Sequence, residues 1–408
     1  MIGDTLLKDE NISIFYIVKD EKKLDMISSQ FKSMYPHIKS INIPAWDCMP
    51  YDNVSPSQRI LGKRITSFIE LIEDYDNTRV IFITINALIQ KSVPLNFLTK
   101  NKITLKINDN LIINSFINFL MTLGYKKSSS VIEIGEYALR GGIIDVFTPN
   151  YNYPIRIDLF GEEIESIKFF DVLTQISKED INKIEIIPIS EIIMTDENIN
   201  NFTVKYRKLF GIKSIEDEIY QLVKEHQRIN GLEHWISLFY DGLKSIFEII
   251  DKKYFVLLDN AFEETLQSRI EDINDYFNTR YINYNQSKKN KDTLNCYKPI
   301  NISDLYLSTE QIENYLKKKT VIRLSVLKSA NESNNLNSVK VKNFWLERKS
   351  VDIDFISVFI SYVKNKLINK NKVIIACKSV SNRQKIYELL NNHEIYNINI
   401  KSNYFIDK

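Results

Sequence analysis

The chain opens on a short apolar run, residues 12–18 (ISIFYIV), whose β-branched and aromatic residues predict a buried strand. Asp20 can then cap a helix to about Met34, with Leu24, Ile27 and Phe31 on one face at helical spacing. A second strand is predicted over 38–43. A long helix fits 57–74, where Ile60, Ile65, Phe68, Ile69 and Ile72 form an apolar stripe and Pro56 suits the first turn. A third strand covers 79–85. This alternation implies right-handed crossovers and a parallel sheet covered on both faces, an α/β architecture.

The pattern changes near residue 123. Short alternating stretches at 130–134, 142–148, 153–160 and 164–170 are punctuated by Pro149-Asn150 and Gly161, which reads as a small antiparallel β domain ending near Pro188. Residues 197–250 are helical in pattern. A strand at 254–259 and a helix at 261–277 resume the α/β style, so the β domain interrupts an α/β domain. The polar stretch 285–292 reads as a loose loop. After about residue 335 a third unit begins, with helix 352–368, strand 371–377 and helix 379–391. One strand–helix–strand step of this kind is too little to close a typical domain core.

Composition narrows the function classes. The 408 residues are 44% hydrophobic and 26% charged, ordinary values for a globular protein of two to four domains. With 54 Lys and Arg against 52 Asp and Glu, the net charge of +2 gives no global footprint for nucleic acid. Cys48, Cys296 and Cys377 are far apart and form no CxxC pair, which argues against a zinc knuckle or a disulfide framework and suits a reducing compartment. No apolar run approaches the ~20 residues needed to span a bilayer, so a cytoplasmic protein is expected.

Catalytic chemistry is hard to assemble from these residues. The only Gly-Lys, Gly62-Lys63, lacks a glycine five positions earlier, is followed by Arg64 rather than Ser or Thr, and lies inside a predicted helix, so it is not a phosphate loop. Acidic pairs such as Asp217-Glu218 do not end a buried strand and read as solvated helix face. His37, His226, His234 and His393 have no second ligand at metal spacing; His226 and His234 would share a helix face if that helix were continuous. No Gly-x-Ser-x-Gly elbow occurs. No catalytic residue, metal or cofactor is therefore expected.

Three stretches stand out. Residues 44–56 (PAWDCMPYDNVSP) join a predicted strand to a helix, with prolines fixing the path and Trp46 suited to burial. Residues 135–149 (GEYALRGGIIDVFTP) place Arg140 before a glycine pair at a strand start, and Arg156 and Phe160 follow in the next strand. Two arginines and an aromatic on one small β surface make a plausible interface anchor set. The alternative is that Arg140 and Arg156 merely pair with Glu136, Glu162 or Glu163. Residues 231–240 (GLEHWISLFY) are rich in aromatics, which most simply means helix packing.

Taken together, PAWDCMPYDNVSP, GEYALRGGIIDVFTP, PIRIDLFGEEIESIKFFD, GLEHWISLFY and YKPI at 297–300 resemble the N-terminal half of bacterial transcription-repair coupling factor, Mfd, in the family's order and near its spacing. The resemblance implies that 1–122 and 196–330 are two halves of an α/β domain related to that of the repair protein UvrB. It implies further that 123–195 is an inserted domain docking on UvrA and that 335–408 is a partial third α/β domain. It assigns the UvrA contact to an Arg in the RG turn, an Arg sixteen residues later and a Phe four beyond, which match Arg140, Arg156 and Phe160.

The resemblance favours the coupling factor over UvrB, because helix 57–74 follows Tyr51 too closely to leave room for a damage-inspecting hairpin. In the family a C-terminal domain masks the UvrA surface, and polymerase binding and the ATP-driven translocase lie beyond the region matched here. The expectation is a non-enzymatic module of transcription-coupled nucleotide excision repair. It would bind UvrA, reach stalled RNA polymerase and DNA only through parts this chain lacks, and present an unmasked surface. The alternatives are an ATP-dependent DNA translocase, or a UvrB-like damaged-DNA binder using lysines such as Lys288, Lys289 and Lys317–Lys319.

Overall fold

Strand β1 (Ser13–Val18) is buried along its whole length, and its side chains divide by the period of two between two cores. Phe15 and Ile17 point one way, Ile14, Tyr16 and Val18 the other. Its neighbours explain why: β1 lies in the middle of a sheet with β2 (Lys39–Ile43), β3 (Arg79–Thr84) and, far along the chain, β12 (Tyr254–Leu258) and β13 (Thr320–Arg323). The order is β13-β12-β1-β3-β2, and every pairing is parallel. Helix Glu21–Met34 covers one face through Leu24 and Phe31, with Phe31 edge-on to Phe82 at 5.7 Å. Asp20 caps this helix, accepting from the Lys23 amide at 2.8 Å. Helix Gln58–Glu73 covers the other face with Ile65, Phe68 and Ile69. The α/β expectation holds, and β13 is a strand the hydrophobic pattern did not reveal.

This computed structural model describes residues 13–73, 78–250, 254–290, 296–325, 342, 344, 349, 354–377 and 379–400. They fall into two compact units, divided after residue 326. Between β3 and β12 the chain builds two further sheets. Strands β4 (Ile103–Lys106) and β11 (Lys183–Ile186) pair antiparallel. Strands β5 (Lys126–Lys127), β6 (Glu136–Arg140), β7 (Ile143–Val146), β8 (Ile155–Phe160), β9 (Glu163–Phe170) and β10 (Ser177–Asp180) form a six-stranded sheet, antiparallel except for the short β5–β6 pairing. Residues 130–134, expected as a strand, form none. The Glu136 carboxylate accepts from the amides of Ile132 and Glu133 at 2.7 and 2.8 Å, which turns the chain before β6 begins.

Two contacts fasten this insertion to the parallel-sheet body. The Arg64 guanidinium is wholly buried, pairs with Glu191 at 3.2 Å and donates to the Pro44 carbonyl at 2.6 Å. Glu191 also accepts from Trp46 Nε1 at 2.6 Å, so a helix, the proline-rich loop and the exit of the insertion meet on one carboxylate. Gly62 lets the same helix approach closely, since a Cβ there would lie 2.7 Å from Pro149 Cβ.

Further along, helix Phe262–Lys289 runs through 285–289, so the loose loop expected there is not found. That stretch holds no Gly or Pro to break a helix. Residues 291–292 lie outside the described set. In the second unit, helices Phe355–Ile368 and Val380–Asn392 share a small core of Ile360, Val363 and Leu390. The strand expected at 371–377 is not formed among the described residues, and Ile374 is largely exposed. Among the described residues no strand pairs with this segment to complete its hydrogen bonds. The start of this unit near 335 and its end at 404–408 lie outside the described residues.

Candidate partner-binding face

The six-stranded sheet has two unlike faces because its strands alternate. Tyr137, Ile144, Val146, Ile155, Ile157, Ile164 and Ile167 turn inward and join the main core. The opposite face mixes polar residues with Ala138 and Phe170, which are buried in a small cluster with Val131 and Phe147. Its register is set by the turn Gly141-Gly142, which leaves Arg140 directly opposite Ile143. Gly141 takes φ of +62°, and a Cβ on Gly142 would lie 2.9 Å from the Leu159 carbonyl oxygen, so both turn positions demand glycine.

From that turn the pairings can be followed across the sheet. Ile143 faces Asp158, and one step down the strands Asp145 faces Arg156, which in turn faces Lys168. Arg140, Arg156 and Phe160 therefore all belong to the mixed face. Arg140 and Phe160 sit at the same end of the sheet, since β6 and β8 run in the same direction. Phe160 is 79% exposed, an unusual cost for a large aromatic outside an interface. Arg140 is exposed and donates from Nη2 to the Ser129 carbonyl at 2.7 Å. A shallow groove over β7, β8 and β9 is lined by Ile143, Asp158, Glu165, Ser166 and Lys168.

Arg156 is held differently. Nε and Nη2 donate to the two oxygens of Asp145 at 2.8 and 2.9 Å, and its Cζ lies 4.7 Å from the Phe170 ring centroid. Neither arginine pairs with Glu136, Glu162 or Glu163, the partners considered from sequence. Asp145, Phe170 and the Gln175 carbonyl, which accepts from Arg156 Nη1 at 3.2 Å, were missed as members of the site. The glycine turn fixes the β6–β7 register in sequence. The β7–β8 register, which sets Asp145 against Arg156, depends on the path of residues 147–154, and no local signal gives it.

The other chemical candidates resolve structurally. Asp217 is not on a solvated face: it is buried, accepts from Tyr206 Oη at 2.9 Å and pairs with Lys298. His226 and His234 do not share a helix, since helix Glu218–Lys224 ends before His226 and Gly231 turns the chain before the 3-10 segment Leu232–Leu238. Trp235 packs on Tyr297 at 4.7 Å and donates to the Lys298 carbonyl at 2.9 Å, joining GLEHWISLFY to YKPI. Cys48 Sγ lies 4.0 Å from His234 Nε2. Burial pushes this thiol up to about 12 and the imidazole down to about 4, so both are neutral and no thiolate nucleophile forms. Among the described residues no group of three or more His, Cys, Asp or Glu could hold a metal ion, and no helix is long and apolar enough to cross a membrane.

Residues 103–192 match the family described as UvrB interaction domain. The start at 103 has a structural basis, because β4 pairs with β11 and the segment after it bonds to β9 through Asn108 N to Ile164 O at 2.9 Å. Over 96% of its length the chain is 25% identical to a transcription-repair-coupling factor of Rickettsia bellii, and covers 34% of that protein. It is 31% identical to the transcription-repair-coupling factors of Haemophilus influenzae over 60% of the chain and of Escherichia coli over 49%. It covers 20% and 17% of those two proteins. The resemblance carried by the sequence motifs therefore holds, and the chain spans only a fraction of the relatives it matches.

Proposed function

We propose that this chain acts in transcription-coupled nucleotide excision repair as a UvrA-recruiting module, docking through Arg140, Arg156 and Phe160. The observation that carries this reading is the coincidence of the matched interaction domain with a sheet whose outer face presents all three residues. Two guanidinium groups beside an exposed aromatic suit carboxylates on a partner. The docking surface lies within 123–195, inside the matched 103–192 stretch, and the remainder of 1–122 and 196–330 is assigned to a UvrB-like domain. Calorimetric titration with UvrA tests the reading. Wild type is expected to bind at micromolar affinity or better, and the Arg140→Ala/Arg156→Ala chain to lose that binding with unchanged folding. No binding by the folded wild-type chain overturns the proposal.

Release of stalled polymerase with ATP belongs, in this reading, to further parts of the coupling factor. The crevice outside the C-terminal strand ends, where open α/β sheets bind ligands, supports a non-enzymatic role for this chain. Side chains are bonded to one another there. Glu21 accepts from Thr84 Oγ1 at 3.0 Å, and Lys23 Nζ pairs with Asp259 at 2.5 Å. DNA-stimulated ATP hydrolysis by the purified chain would refute this part of the proposal.

A further inference from the structure

We infer that Asp145 is a positioning residue for the docking face, holding Arg156 as a fixed, charge-cancelled fork while Arg140 supplies the free positive charge. This rests on the UvrA reading above and deepens it.

A guanidinium carries five N–H donors. Asp145 takes one from Nε and one from Nη2, and the Gln175 carbonyl takes one from Nη1. One N–H remains on each terminal nitrogen. The Asp145 side chain is 1% exposed and that of Arg156 17%, so only the outer end of the fork reaches solvent. Phe170 lies against the guanidinium and fixes its plane. Lys168, opposite Arg156, lies 3.9 Å from both Asp158 and Asp180. Arg156 thus loses little conformational freedom when a partner docks. With its charge already balanced, it contributes two aimed donors, the geometry a flat carboxylate accepts in a two-point contact.

Arg140 is the complement. It donates to an uncharged carbonyl and forms no ion pair among the described residues, so its charge acts at a distance and is screened by salt. The two arginines then answer different tests. The fork at position 156 cannot be replaced by an ammonium, which has the charge but not the two parallel donors.

The experiment titrates UvrA into wild type, R140A, R156A, R156K, D145N and D145N/R156A at low and high salt, with thermal melts to confirm folding. R156K is expected to bind as weakly as R156A. D145N is expected to weaken binding by about tenfold or more, and to add no loss in the R156A background. R140A is expected to flatten the salt dependence that R156A retains. If D145N and R156K bind like wild type, the inference fails. It fails also if D145N weakens binding equally in both backgrounds, which marks damage to the fold alone. Should D145N not fold, R156K decides, because it keeps Asp145 and a positive charge. No binding by wild type overturns the recruitment reading itself, a result distinct from these.

Discussion

At the scale of single residues, burial rather than charge count sets the chemistry. His234 is buried among Trp46, Cys48 and the Glu233 side, and its imidazole titrates at about 4, against 6.5 when free. Between those values the unfolded chain binds more protons than the folded one, so stability rises with pH across the window. It is lost as pH falls from about 6.5 towards 4. The full effect is about 3 kcal/mol, and urea midpoints measured at several pH values should show it. The neighbouring Glu233 carboxyl is pushed up by its burial and opposes the trend, so His234→Phe isolates the histidine share by removing the rise in stability between about pH 4 and 6.5. Cys48 offers a second check. Its thiol is protonated near neutral pH, and alkylation in the folded chain should be far slower than in urea.

Elements meet where small residues and buried pairs permit it. Helix Gln58–Glu73 reaches Pro149 only because position 62 is glycine, and Gly62→Leu should cost about 1–3 kcal/mol through overpacking. The buried Arg64–Glu191 pair is a stronger fastening. Removing one partner leaves a charge in the interior, so Glu191→Ala should cost about 3–5 kcal/mol in urea unfolding. Both positions illustrate a limit of sequence reading. Arg64 adjoins Ile65 of the apolar stripe yet as a charged residue looks like a surface position, and Glu191 lies 127 positions away in a loop. No periodicity links them.

At the scale of the first unit, the largest hydrophobic cluster among the described residues runs through both sheets, joining Phe15 and Ile81 of the parallel sheet to Ile144, Ile157 and Ile167 of the six-stranded one. A continuous core implies cooperative unfolding. Calorimetry and amide exchange should therefore find the insertion and the parallel sheet melting in a single transition. Separate protection of the insertion would contradict this.

Which parts of this picture were readable in the chain follows from the range of the forces involved. The hydrophobic pattern by itself determined β1, β2, β3 and β12, their parallel style, the capped helix after Asp20 and the break in texture near residue 123, because these depend on neighbours a few positions apart. Motif order determined the resemblance and the three docking candidates. Tertiary structure alone decided that Asp145 holds Arg156, that Asp217 is buried on Lys298, that Glu191 anchors the insertion, and that 371–377 forms no strand among the described residues. Each of these depends on strand register or on contacts between distant segments, and a charged residue carries the same letter whether it faces water or a buried partner.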